Sequence, residues 1–215
     1  MLMKLRMVAI FFACLAFATI SRAEYIAGDM EWDLWDDGDG VISCDYAMTE
    51  DDTVDYDDYS LDIDGDHNRF EPGHLIGWFR PGHSGTKTIK VSNKFRNLTD
   101  FNWTDYHIDV SMRHPFTISN ADVISPNDWT SAFTQPVYDS DIDKWVGTVD
   151  YYAGTPVRDG IYNETLRASY KITFSGTAGH NQWYWQQLTP TPEPSTLVLL
   201  ACGLLGLLAM RKHSA

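Results

Sequence analysis

The chain's most distinctive chemical pattern is carboxylates at alternate positions with a glycine among them. Asp62-Ile63-Asp64-Gly65-Asp66-His67-Asn68 brings three acids and an amide close together in sequence. Hard cations bind clusters of about six to eight oxygen atoms, so Asp62, Asp64 and Asp66 are the candidate metal ligands and Ca2+ the candidate cofactor. A second acidic run, Asp36-Asp37-Gly38-Asp39-Gly40-Val41-Ile42-Ser43, offers similar chemistry. The competing reading is a pair of exposed turns, because Asp-Gly is common in hairpins for conformational reasons alone.

Residue patterns for catalysis are sparse. The chain has no His-Glu-x-x-His, Gly-x-Ser-x-Gly, glycine-rich phosphate loop or cysteine pair for zinc. Gly82-His83-Ser84-Gly85 sets a histidine beside a serine, but its glycines make it a hairpin loop before a nucleophile site. Two carboxylates suffice for glycoside hydrolysis, and this chain has too many acids to single out a pair. The expectation is therefore a protein without catalytic residues. Its rival is a carbohydrate-binding module or glycan-acting enzyme with Trp183 and Trp185 as sugar platforms. The Asp36 to Ser43 run resembles part of a dockerin or EF-hand calcium loop, but Trp35 stands at its first ligand position. The Asp62 run has His67 where such a loop has glycine and Gly73 where it has a bidentate acid.

Charge and cysteine usage narrow the context. Residues 24–190 hold 11 Lys+Arg against 29 Asp+Glu, and residues 24–68 contribute 17 of those acids with no base. Such a balance argues against nucleic acid as a partner, because phosphate contacts need Lys and Arg. An acidic stretch of this kind usually forms a solvated arm. Here Trp32, Trp35, Tyr46, Tyr56 and Tyr59 interleave with the acids, so parts of it should pack. The mutual repulsion then has to be offset by distant bases such as Lys87, Lys90 and Lys94, or by bound calcium. Cys14 and Cys202 lie near the two ends and only Cys44 between them, so no internal disulfide staples the central domain.

The elements that position these groups read as strands from Pro72 onward. Leu166, Ala168, Tyr170, Ile172 and Phe174 alternate with polar residues, as do Tyr106, Ile108, Val110 and Met112. Shorter candidate strands are 74–79, 87–92, 132–137 and 145–151. Turns are expected at Arg80-Pro81-Gly82, Ser125-Pro126-Asn127-Asp128, Gly154-Thr155-Pro156 and Asp159-Gly160. This predicts an antiparallel β-sandwich, jelly-roll-like in subtype, over residues 24–190, with 24–71 as its acidic segment.

Both ends carry export signals. Lys4 and Arg6 precede an apolar run from Met7 to Ile20 and then Ser21-Arg22-Ala23, the layout of a signal peptide over residues 1–23 with Ala23 at the cleavage site, so signal peptidase is an expected partner and Glu24 the expected mature start. At the other end Pro192-Glu193-Pro194 leads into an apolar stretch from Leu197 to Met210 and then Arg211-Lys212. That stretch is short for a membrane span, and its basic end belongs on the cytoplasmic side. Residues 191–215 resemble the PEP-CTERM sorting tail. The resemblance implies processing by an exosortase, passage through the inner membrane by residues 197–210, and delivery to the cell surface or extracellular matrix, with extracellular polysaccharide as a partner. Asn97 to Ile108 also resembles a phrase of PEP-CTERM ectodomains, with Trp103 packing and Asp105 capping a turn.

Overall fold

Alternation of apolar and polar side chains, the signature of a strand with one face on a core, governs most elements. The computed structural model describes residues 25–51, 57–161, 164–192 and 202. They form β1 (Tyr25–Ala27), β2 (Met30–Asp36), β3 (Ile42–Glu50), β4 (Asp58–His67), β5 (Gly73–Pro81), β6 (Gly85–Asn97), β7 (Trp103–Met112), β8 (Phe116–Ser125), β9 (Thr130–Asp139), β10 (Lys144–Val157), β11 (Thr165–Gly176) and β12 (Gln182–Pro192). A seven-stranded sheet in the order β1-β2-β5-β12-β7-β10-β9 faces a five-stranded sheet in the order β3-β4-β6-β11-β8. Phe79, Ile108, Val110, Tyr184 and Leu188 from the first meet Leu61, Val91, Phe95, Tyr170 and Ile172 from the second, all fully buried. The expected β-sandwich is thus present, with more strands than the eight of a jelly roll. Its ladders are antiparallel except for β4 beside β6, which run parallel.

A chain of hydrogen bonds crosses this apolar interior. The Tyr170 and Tyr184 hydroxyls lie 2.8 Å apart, Tyr184 donates to Gln186 Oε1 at 2.8 Å, and Gln186 Nε2 donates to Asn93 Oδ1 at 2.9 Å. These residues come from β11, β12 and β6, so the chain ties one sheet to the other. Burial pushes the Tyr170 and Tyr184 phenols well up, keeping both neutral.

The acidic segment packs, as its interleaved aromatics lead one to expect: it supplies β1 and β2 to one sheet and β3 and β4 to the other, burying Trp32 and Tyr59. Other expectations are corrected. Asp62, Asp64 and Asp66 do not form a ligand loop but alternate along β4. With a strand rise of about 3.3 Å per residue, the outer two stand about 13 Å apart, too far to chelate one ion at about 2.5 Å. Two of the three are met instead by bases on β6, Asp64 by Lys94 and Asp66 by Arg96. Of the three lysines expected to offset the acids, Lys87 and Lys94 pair with them. Asp105 lies within β7 rather than capping a turn, whereas Trp103 is fully buried as expected. Gly154-Thr155-Pro156 is not a turn between strands; it lies in β10, where the ladder to β7 slips between Tyr152 and Val157 and Ala153 takes a φ of 65°. Gly154 is required there, since a Cβ would meet Trp129 Cδ1 at 2.4 Å. Strands β8 and β12 had no counterpart in the sequence reading.

Cys44 is half-buried and its thiol is pushed up to about 12, chiefly by burial, so it is an inert thiol at neutral pH. Among the described residues no helix is long and apolar enough to cross a membrane. Residues 1–23, Glu24, Glu193, Pro194, Arg211, Lys212 and the stretch 197–210 lie outside the described residues apart from Cys202.

Removing the Tyr184 hydroxyl should cost more than removing a surface charge pair. Y184F strands Gln186 Oε1 and the Tyr170 hydroxyl, a loss of about 1–3 kcal/mol, or several degrees of melting temperature for about 170 residues. K94Q breaks an exposed pair worth less than about 1 kcal/mol. Chemical denaturation of the two variants checks the order, and an equal or reversed cost would refute the role given to the buried chain.

Candidate functional site

The outer face of the seven-stranded sheet is organised by the register of β12. Gln182, Tyr184, Gln186 and Leu188 point inward, so Trp183, Trp185 and Gln187 point outward. Antiparallel pairing places Trp183 beside Trp78, Trp185 between Ile76 and Ser111, Gln187 between His74 and Asp109, and Thr189 beside His107. On the far side of β7, His107 stands opposite Asp150.

This alignment builds an aromatic cluster. The Trp183 and Trp185 rings stack with centroids 6.0 Å apart, and Trp35 meets Trp183 edge-on at 6.4 Å. Arg113 lies over Trp183 at 5.7 Å and the Lys144 ammonium over Trp185 at 3.5 Å, both within cation–π range. Beside Trp185 a depression of about 390 Å³ is lined by that ring and by Ile76, Gln187, Ser111, Lys144, Asp109, His74 and Asp37. An aromatic wall with a few convergent polar groups is the usual make-up of a small-ligand site.

His107 lies on the same face of β7, two residues from Asp109, which lines the depression. Its Nε2 is 2.9 Å from Asp109 Oδ1, and its Nδ1 contacts Asp150 Oδ1. Two carboxylates can both accept only from an imidazolium, which donates at both nitrogens. The bond to Asp109 foremost, and that to Asp150, raise the imidazole pKa to about 9 against the opposing effect of burial.

At the upper edge, Asp37, Asp39 and His74 offer ligand atoms all within 4.8 Å of one another, and His74 Nδ1 is 3.1 Å from Asp37 Oδ2. Among the described residues this is the one group able to converge on a metal. It draws Asp37 and Asp39 from the second acidic run and His74 from β5, so sequence spacing alone did not reveal it.

The other sequence candidates resolve into structural roles. His67 is fully buried, with Nδ1 3.0 Å from the Tyr106 hydroxyl and Nε2 2.8 Å from Glu71 O, and burial lowers its pKa so that it stays neutral. His83 turns to Asp29 and Asp57 while Ser84 Oγ accepts from the Ala178 amide at 3.0 Å, so the adjacent pair forms no nucleophile and base. A larger depression of about 730 Å³ on the five-stranded sheet has no aromatic wall, and its Asp64 and Asp66 are paired with Lys94 and Arg96.

Comparison with known families identifies the C-terminal end of the chain, where the PEP-CTERM protein-sorting motif matches residues 190–212. The chain is a PEP-CTERM domain-containing protein. The motif marks it as an exported protein targeted to an exosortase, sorted at the membrane and then delivered to the surface. No curated protein and no solved structure matches the chain. The match overlaps the fold: Thr191 and Pro192, inside the motif, pair with Asp105 and Trp103 in the ladder between β12 and β7. Of the proposed sorting residues Pro192, Glu193, Pro194, Arg211 and Lys212, the structure places only Pro192.

The His107 arrangement predicts a pH signature. A folded pKa raised from the usual value near 6.5 means stabilisation present in full below about pH 6.5 and lost as pH rises through about 9. Following the His107 ring protons by NMR should give a midpoint near 9, moving down in D109N. A midpoint near 6.5 in the wild-type protein would show that the two carboxylates do not hold the imidazolium.

Proposed function

We propose that the exported domain is a non-catalytic binding module whose seven-stranded sheet holds an extracellular polysaccharide on its outer face. The observation that carries this reading is the stacked Trp183 and Trp185 pair, half-buried beside a depression lined with polar groups. Sugar rings present apolar C–H faces and a rim of hydroxyls. Indoles suit the first, and Gln187, Ser111 and Asp109 suit the second. The non-catalytic reading is supported by the state of the carboxylates: a glycoside hydrolase needs one protonated acid and one free base or nucleophile, whereas Asp109 and Asp150 both bond to His107. On this reading signal peptidase cleaves after Ala23 and the exosortase acts on the tail, leaving the β-sandwich at the surface with its glycan face available.

A glycan array probed with the mature protein recovered from the cell surface should show binding, and W185A should weaken it about tenfold or more, as expected for an aromatic anchor. Release of reducing ends from the bound glycan would replace the non-catalytic reading with the hydrolase one. Absence of binding to every polysaccharide of the native envelope would remove the glycan reading.

The sorting assignment has its own test. E193A combined with P194A leaves β12 intact, so the variant should fold, keep its tail and accumulate in the membrane fraction. Mass spectrometry reads the C-terminus directly; a variant that reaches the surface with the wild-type C-terminus would show that the motif is not used.

A further inference from the structure

Two basic side chains in this acidic protein stand beside the tryptophans without an acid. Arg113 follows the last residue of β7 and Lys144 opens β10, and they lie over Trp183 and Trp185 at 5.7 and 3.5 Å. Among the described residues no carboxylate pairs with either. The other cations of this face are matched: Arg80 with Glu31 at 2.7 Å, His107 with Asp109 and Asp150, His74 with Asp37 when protonated. Nor is the lack of a partner due to a lack of acids nearby. The turn before Lys144 holds three, yet Asp139 Oδ1 accepts from the Asp141 amide at 2.9 Å and Asp143 Oδ1 from the Tyr138 hydroxyl at 2.7 Å. Burial and the Arg113 charge both lower the Lys144 pKa, and the contact that favours the ammonium is the Trp185 ring rather than a carboxylate.

Lys144 also decides what can approach Trp185. A sugar stacking on that ring face must displace the ammonium; a neutral sugar offers nothing in return, whereas an anionic one pairs with the displaced charge. Resting on the glycan-binding reading above, we propose that the ligand is a carboxylated polysaccharide, a uronate polymer. A sugar carboxylate lies between Arg113 and Lys144, and the pyranose C–H face lies against Trp185 and Ile76. The chain's overall negative charge repels polyanions in general, so a cationic spot on a sugar-sized aromatic platform favours a uronate over an unstructured polyanion.

Affinity electrophoresis of the mature protein tests this with three polymers: alginate, a neutral β-glucan and poly-glutamate. Wild type, R113Q/K144Q and W185A are compared after confirming equal melting temperatures. The expected result is retardation by alginate above that by either other polymer. R113Q/K144Q should weaken alginate binding about tenfold or more, the scale of a lost charge-assisted contact, and leave any glucan binding unchanged. W185A should weaken alginate as well. If the neutral glucan binds as tightly as alginate and the double variant changes neither, the uronate inference falls while the glycan-binding reading stands. Equal retardation by poly-glutamate would reduce the site to a polyanion patch and overturn the inference. If neither sugar polymer retards the wild type, both readings fall.

Discussion

The hydrogen-bonded chain from Tyr170 through Tyr184 and Gln186 to Asn93 is the constraint on which the arrangement of this protein depends. Apolar packing between two sheets is tolerant of small slides, because one methyl group packs much like another. A buried glutamine is not tolerant: moved by one residue, it either leaves its partners unmade in a dry interior or exchanges faces altogether. Fixing Gln186 inward therefore fixes Trp185 and Gln187 outward. The aromatic cluster and the depression beside it follow from a contact made on the opposite side of the same strand.

The acidic N-terminal segment is accommodated by a second regularity. A parallel ladder keeps a constant offset between its strands, and β4 pairs with β6 at an offset of 30 residues, Asp58 with Thr88 through His67 with Asn97. The ion pairs Asp57 with Lys87, Asp64 with Lys94 and Asp66 with Arg96 all repeat that interval. One alignment thus neutralises three acids, and Lys87, whose side chain is wholly buried, reaches Asp57 at the end of the ladder. The repulsion that would hold a free acidic arm away from the domain is met by charges that β6 carries in register.

Strand β12 joins the glycan-facing surface to the sorting motif. Its pairing with β5 ends at Leu188 and Gly73, while pairing with β7 continues to Pro192 and Trp103. Beyond Leu188 the strand has, among the described residues, a neighbour on one side only, and that is where Pro190 and Pro192 occur, residues that lack an amide to donate and belong at sheet edges. The motif matched over residues 190–212 therefore begins inside the β-sandwich instead of following a flexible stalk.

The sequence alone determined the export signature at the C-terminal end, the β class, the central alternation of β7 and β11 and the buried role of Trp103. These are local properties: a proline-flanked apolar run, a period of two, a large aromatic among apolar neighbours. Strand β12 escaped because its inward positions include Gln182 and Gln186, which read as polar until their partners are known, and β8 because Asn120 and Asp122 interrupt its apolar pattern. That parts of the acidic segment pack was legible in its interleaved aromatics, but the register that sets its acids against bases 30 residues downstream was not. The convergence of Asp37, Asp39 and His74, the clamp of Asp109 and Asp150 on His107, and the placement of Arg113 and Lys144 over the tryptophans were decided only by tertiary structure. Each brings together residues far apart in sequence, from different strands and the loops beside them, and such alignment across the fold leaves no trace in local spacing.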